Sequence, residues 1–472
     1  MNKTRLINIF WLFFEKFGLI LLSACSFFSF AYFLTPLELG LGAIVIVLCE
    51  MVGSFYNAVF ENPLVKRNCN SKSELSSVFW VGGAIALVST LFLSLVYFVL
   101  DEKSNIWAML LFSSISVTVS VQSRPFIASY RCKREFKTLA LRTLWGKVVG
   151  ALTAIISAAM GAGEWSLIIQ LTVMNLTAFL ILMKTDTSFL KVPPSVNDLK
   201  SLGQEGMSIG VRQLLTGLFD RGLILLLSIT TSSSTVGYYS FARRLVDLPK
   251  QAIKTAVNSY SLPVFAARVN RPQSLSLLFQ NLTTATFLIL CPSFVYIGLF
   301  GGQIVVDIFG EKWSGSVPFF VLFSFIVALQ SLELFAQPLQ AAFGKSNIGL
   351  KADIFRITAT LSVAYYAIQH FGLMGVAGII FIDVMATIVI RYYSAKKLIS
   401  FSHRNLAIDL VKTLGTTSLV ASLVHLLFLN YELSFFLVFS VGIVAISLHI
   451  AIYYVVFGRI HERFKLLLND KH

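Results

Sequence analysis

An all-α polytopic membrane protein of about fourteen transmembrane helices is the fold class this sequence predicts. Three observations carry that expectation. The 472 residues are 56% hydrophobic and 13% charged, with a mean hydropathy of +0.78, which no soluble chain of this size normally shows. Apolar blocks of about 20 residues, each able to cross roughly 30 Å of hydrocarbon, recur from end to end with short polar breaks. Lys and Arg gather in every second break, as cytoplasmic loops require.

The blocks place spans at 11–33, 38–60, 76–99, 106–128, 138–160 and 165–183, then at 209–231, 237–262, 276–300, 318–343, 352–370 and 373–395, and last at 408–429 and 433–457. The opening MNKTRLINIFWLFF starts like a signal peptide, but its apolar run continues too far and meets no small-residue cleavage site, so 11–33 reads as a permanent span. The breaks assigned to the inside hold about 25 of the 38 basic residues. Lys66, Arg67 and Lys72 follow the second span, Arg124, Arg131, Lys133, Arg134 and Lys137 follow the fourth, Arg391, Lys396, Lys397 and Arg404 are counted with the inside break at the end of the twelfth, and Arg459, Arg463, Lys465 and Lys471 close the chain. The outside breaks hold Lys103 and Lys312. Both termini are therefore expected in the cytoplasm, and the net charge of +15 records orientation and headgroup attraction rather than nucleic-acid binding. Cys25, Cys49 and Cys291 fall in spans and Cys69 and Cys132 in inside breaks, which implies no disulfide framework.

The break at 185–208, with Pro193 and Pro194, reads as a cytoplasmic linker between a first lobe, 1–184, and a second, 209–397; residues 398–472 add two spans and a tail. FEKFGLILL at 14–22 and FDRGLILLL at 219–227 match at an offset of about 205 residues, and TVMNLTAFLILMK and DVMATIVIRYYSAK at about 211. Six spans per lobe would keep both copies in one orientation, related by a pseudo-twofold along the membrane normal. The longest outside break, GGQIVVDIFGEKWSGSVP, is too short to form a domain.

No phosphate-cradling G-x-x-x-x-G-K-[ST], no H-E-x-x-H and no paired-Cys metal signature occurs, and the six His are scattered. Translocation is thus expected rather than catalysis, with no metal or cofactor beyond a proton or sodium ion that couples transport.

Charges within spans are costly and normally face a wet cavity or a partner. In GYYSFARRLVDLPKQAIKTAVNSYSLP, the residues Arg243, Asp247, Lys250 and Lys254 fall within about 60° of one another on a helix, with Arg244 adjacent. The stripe is either an anion-binding ladder or a set of interhelical ion pairs with Asp220, Glu333 or Asp383. In ALQSLELFAQPLQAAFG, Gln330, Glu333, Gln337 and Gln340 share about 80° of a face that Pro338 would kink. Such amides suit hydroxyl-rich ligands and equally join helices. Glu15-Lys16 lies near the cytoplasmic edge, where Lys can snorkel, so Asp220-Arg221, nearer mid-span, is the better cavity candidate.

The run GYYSFARRLVDLPKQAIKTAVNSYSLPVF, with Phe14 to Gly18 ahead of TPLELGLGAI and NPLVKRN after the second span, resembles the polysaccharide and O-antigen flippases. These Wzx-type proteins, here close to the colanic-acid exporter branch, belong to the multidrug/oligosaccharidyl-lipid/polysaccharide exporter superfamily. The resemblance implies two six-helix lobes around a cavity that opens alternately to either side. It also implies transport of undecaprenyl-pyrophosphate-linked oligosaccharide across the bacterial inner membrane for O-antigen, capsule or exopolysaccharide synthesis, with membrane lipids and a polysaccharide polymerase complex as partners. Cationic residues holding the pyrophosphate would be Arg243, Arg244, Lys250 and Lys254, joined by Arg221. Asp220, Asp247, Gln330, Glu333, Gln337 and Asp383 would meet the glycan or the coupling ion. A cation-coupled multidrug extruder of the same superfamily should prefer acidic and aromatic walls. A glycan polymerase or ligase should carry a larger outside loop, and a scaffold would leave the buried charges unexplained.

Overall fold

The computed structural model describes residues 3–100, 105–184, 187–345, 348–401, 403–428 and 435–457. Lys103 and the basic tail from Arg459 to Lys471 lie outside the described residues. Among the described residues there are sixteen α-helices: α1 (Lys3–Phe33), α2 (Pro36–Lys66), α3 (Lys72–Ser77), α4 (Gly83–Leu100), α5 (Ile106–Gln122), α6 (Arg124–Lys133), α7 (Phe136–Ala159) and α8 (Trp165–Leu182) come first. They are followed by α9 (Val196–Thr230), α10 (Ser233–Ala266), α11 (Pro272–Phe309), α12 (Val317–Gln330), α13 (Ala336–Ala342), α14 (Leu350–Lys396), α15 (His403–Phe428) and α16 (Phe435–Phe457).

Local chemistry sets several boundaries. Thr35 caps α2 through a reciprocal box: its backbone N–H donates to Glu38 Oε2 at 2.7 Å, its hydroxyl accepts from the Glu38 N–H at 3.4 Å, and Pro36 takes the first turn. Ser195 caps α9 by accepting from the Asp198 N–H at 3.4 Å. That cap pulls 196–208 into the helix, so the irregular part of the expected linker ends just after Pro193-Pro194. The expected outside loop also shrinks, because α11 continues to Phe309 and a 3₁₀ turn occupies Glu311–Ser316.

Ten stretches among the described residues are long and apolar enough to span a membrane. The 47-residue α14 is two of the expected spans, because Gly372 leaves helical geometry at φ 53°, ψ −126°. The turn there brings Gly375 against the Ala367 carbonyl, where any Cβ would collide. The bent α9, with limbs meeting at 53°, and the apolar α16 supply two more. The span at 237–262 is α10, whose basic run keeps it out of the apolar set. All expected spans thus find a helix.

The chain divides into two compact units, Met1–Ser240 and Phe241–His472. In the first, α2 packs along α5, α6, α8 and α9, while α7 joins α1 to α8. So α9, which the sequence reading placed in the second lobe, packs within the first unit. In the second, α11 is central and carries α12, α15 and α16. Tyr296 and Phe300 of α11 bury themselves against Val420, Ala421 and Val424 of α15 and Ala445 of α16, which fixes the two appended helices.

Candidate substrate cavity in the second unit

Two apolar anchors position α10. At one end Phe241 is fully buried, stacked on Trp313 with ring centroids 4.0 Å apart and edge-on to Phe309 at 5.1 Å. Such aromatic pairs add about 0.5–1.5 kcal/mol beyond their burial. At the other end Phe265 joins Leu275, Phe279, Phe335 and Leu339 in one cluster. The polar turns lie between these anchors, and Pro249 withholds an N–H from the Leu245 carbonyl within them.

Along this stretch Asp247 bridges its neighbours: Arg243 Nε lies 3.4 Å from Asp247 Oδ2 and Lys250 Nζ 3.6 Å from Asp247 Oδ1. The expected cationic stripe is therefore partly neutralised at its centre. Lys250 and Lys254 continue onto a cavity of about 90 Å3, open at one side and walled by Leu290 and Phe294 of α11 and Val327 of α12. Gln330, Ser331, Glu333 and Gln337 complete its polar lining. The amide oxygen of Gln330 is buried without a hydrogen-bond partner among the described residues, so an acceptor stands ready for a donor on a ligand.

The helix bearing these amides is not continuous. α12 stops at Gln330, a 3₁₀ turn covers Ser331–Glu333, and α13 starts at Ala336. Pro338 explains the break, since its ring crowds the carbonyl of Leu334 one turn earlier and offers it no N–H. The interruption changes the predicted face: Gln330, Glu333 and Gln337 still meet the cavity, whereas Gln340 is buried away from its lining.

Beside the cavity runs an ion network that sequence spacing did not reveal. Arg391 Nη2 lies 2.9 Å from Asp353 Oδ2, Arg356 pairs with Asp383, and Arg356 Nε reaches Asp353 Oδ1 at 3.8 Å. In a straight helix at about 1.5 Å per residue, residues 353 and 391 would stand about 57 Å apart. The reversal at Gly372 alone makes the contact possible. Arg391, Lys250, Lys254 and Arg356 all act electrostatically on Glu333, so that carboxylate links the network to the cavity. Asp383 was foreseen, but it is committed to Arg356 and accepts from the Thr360 hydroxyl at 3.5 Å. Arg391, read from sequence as a cytoplasmic orientation charge, belongs to this network.

The remaining candidates lie elsewhere. Arg244 stays on α10, partly buried, outside the cavity lining. Arg221, in the first unit, donates to Ser54 Oγ at 3.3 Å and faces Glu50 Oε2 at 3.6 Å, while Asp220 beside it is exposed. Glu15 accepts from the Thr143 hydroxyl at 2.7 Å, which fits a structural part for the first acid-base pair. Several basic loop residues are also engaged. Glu61 holds Arg124 at 2.7 Å and Arg131 at 2.5 Å, and Glu205 holds Lys66 at 2.5 Å and Arg67 at 2.8 Å. Hydrogen bonds to Glu74 and then Glu205 hold the Arg67 guanidinium above its ordinary value.

A family model described as "Polysaccharide biosynthesis protein" matches residues 30–318, more than half of the chain. The chain belongs to the polysaccharide biosynthesis protein family. The family match includes the basic run of α10 and stops before Gln330, Glu333 and Gln337. Within the curated proteins, the chain is similar to the "Succinoglycan biosynthesis transport protein ExoT" of Rhizobium meliloti (strain 1021), 23% identical over 323 residues. That alignment takes in 67% of this chain and spans about 65% of the length of the relative. Among solved structures, "Lipid II flippase MurJ, inward closed conformation" shares the fold at a TM-score of 0.74 and 13% identity, covering 96% of this chain and 100% of that one. An inward-facing "multidrug resistance MATE family transporter of the MOP superfamily" follows at 0.60 and 16% identity, covering 80% and 94%. This member of the polysaccharide biosynthesis family therefore shares the fold of those two structures, built from helices long and apolar enough to span a membrane.

Proposed function

We propose that the protein is a flippase, not an enzyme, that carries an undecaprenyl-pyrophosphate-linked oligosaccharide across the bacterial inner membrane for surface polysaccharide synthesis. The observation that carries this reading is the cavity itself: two lysines, two glutamines and one glutamate converge on an open space within a membrane-spanning unit. Ammonium groups bind phosphate as strongly hydrated point charges, and amides pair with sugar hydroxyls in both directions. Lys250 and Lys254 would meet the pyrophosphate and Gln330 and Gln337 the glycan, while the lipid tail stays in the bilayer. Arg243, Arg244 and Arg221 would act as further cationic contacts along the path, and Asp220 and Asp247 would tune them.

Glu333 gives the cavity a carboxylate beside Lys250 and Lys254, so a proton or sodium ion bound there would cancel its charge and free the lysines for the anion, coupling ion binding to anion capture and ion loss to release. Asp383 would follow through Arg356. Alternating access of two lobes, as the repeated sequence segments suggest, would supply the movement. Both termini would face the cytoplasm, on the strength of the Lys and Arg asymmetry, and a polysaccharide polymerase would receive the product on the other side.

Reversal of charge tests the reading. Cells carrying Lys250→Glu/Lys254→Glu should insert the protein at normal levels, lose surface glycan and accumulate lipid-linked oligosaccharide on the cytoplasmic leaflet. Normal surface glycan in that strain would remove the lysines from the substrate path. Drug sensitivity with intact glycan would point to extrusion instead.

A further inference from the structure

The turn after α2 and the end of α6 bring together two thiols that the transport reading does not use. Cys69 Sγ and Cys132 Sγ lie 2.7 Å apart, across 63 residues of sequence. Both are partly exposed on a cavity of about 450 Å3 that Lys72, Tyr130, Lys133 and Glu135 also line. The backbone enforces the encounter. Asn68 and Cys69 take left-handed φ values of 54° and 52°, which turn the Cys69 N–H back onto the Leu64 carbonyl at 3.0 Å. Arg134, at φ 58°, ends α6 in the same way, with the Glu135 N–H donating to the Tyr130 carbonyl at 3.0 Å. Non-glycine residues reach this region at a cost, so the surrounding structure must hold them there. Arg67, bound to Glu74 and Glu205, clamps the first turn, and the Glu61–Arg131 pair ties α6 to α2.

We propose that Cys69 and Cys132 are a reversible redox-modification site: a dithiol in a reducing cytoplasm, a disulfide when a hydroperoxide arrives, with the oxidised form slowing transport. The last clause rests on the flippase reading and its orientation. One thiolate attacks the peroxide, its sulfur becoming sulfenic acid as the O–O bond breaks and hydroxide leaves. The second thiol then attacks that sulfur, forming the S–S bond and releasing water. Two thiols are thereby oxidised, and one hydroperoxide is reduced. Burial, then the neighbouring thiol, push the Cys69 thiol up, so it stays protonated and serves as the second, resolving partner. Cys132, the other thiol lining the same cavity, takes the first oxidation. The new bond would add a covalent link to the ion pair that already ties α6 to α2.

The test uses the full-length protein in inner-membrane vesicles, exposed to hydrogen peroxide, blocked with N-ethylmaleimide and digested for mass spectrometry. A peptide pair linking Cys69 to Cys132, lighter by two hydrogens, should be absent before oxidation, appear with peroxide and vanish with dithiothreitol. Cys69→Ser and Cys132→Ser should each form no such pair, keep basal transport and lose its inhibition by peroxide. Absence of the linked pair in oxidised wild type would overturn the site. A pair already present in freshly blocked cells would show a structural disulfide and overturn the switch. A pair that forms while wild-type transport holds steady would overturn the inhibitory role. Should no version transport glycan at all, the flippase reading fails, while the linked peptide still decides the thiol chemistry.

Discussion

Replacing Asp383 with Ala should destabilise the second unit far more than replacing both members of its ion pair. Asp383 and Arg356 are 8% and 11% exposed at their side chains, so water screens neither charge well. Without Asp383, Arg356 keeps one carboxylate, Asp353, at 3.8 Å, and Arg391 already holds that carboxylate at 2.9 Å. Stranding one partner of a buried pair costs about 3–5 kcal/mol, whereas exchanging both for apolar groups of similar volume is close to neutral. At about 2–4 °C per kcal/mol for a unit of this size, Asp383→Ala should lower the apparent melting temperature by about 6–20 °C. The double variant Arg356→Met/Asp383→Leu should recover most of that loss, because Asp353 and Arg391 remain paired. Recovery of the monodisperse peak after graded heating in detergent reads the order directly. A double variant as heat-sensitive as the single would refute the pairing argument, and with it the antiparallel contact across Gly372.

Glu333→Gln should retain folding but remove the dependence of transport rate on external proton or sodium concentration; unchanged ion dependence in vesicles would discharge Glu333 from coupling. Gln330→Leu removes an unpaired acceptor, and should weaken glycan transport about threefold to tenfold without altering heat resistance. An equal fall in heat resistance would assign the amide a structural part instead. Gly237→Ala should cut the yield of folded protein, because its Cβ would fall on the Pro36 carbonyl where α2 meets the first turn of α10. Normal yield by fluorescence-detected chromatography would show that the backbones can part.

Much of the fold was legible because hydrocarbon imposes a length and an alternation of charge that local composition records. The hairpin in α14 was written into FGLMG, where a glycine ends one apolar block and another begins. The basic run of α10 stood out by helical spacing alone. What spacing could not give was pairing between distant segments. Arg391 looked like a loop cation until its carboxylate, 38 residues earlier, folded onto it. Gln340 was misplaced because a uniform helical angle assumes an unbroken helix, and the 3₁₀ turn at Ser331–Glu333 resets the angle. Cys69 and Cys132 meet only through two left-handed helix ends, and left-handed Asn, Cys and Arg leave no glycine to mark them.

The polarity of α10 also bears on how the chain is made. A translocon releases segments sideways into lipid according to their apolarity, and each Lys or Arg at a helix centre opposes that release by about 2.5–3.5 kcal/mol. Arg243, Arg244, Lys250 and Lys254 together oppose it by up to about 10–14 kcal/mol, so α10 emerges from the ribosome as a segment that lipid will not accept alone. Its anchors arrive later: Phe241 stacks on Trp313, and Phe265 packs on Phe279 and Phe335. The helix must wait in a protected place until α11 and the turn beyond it have been synthesised. Membrane integration of this protein is thus ordered in time, and a nascent chain arrested between residues 266 and 313 would remain a substrate for chaperones and proteases rather than a partly built transporter.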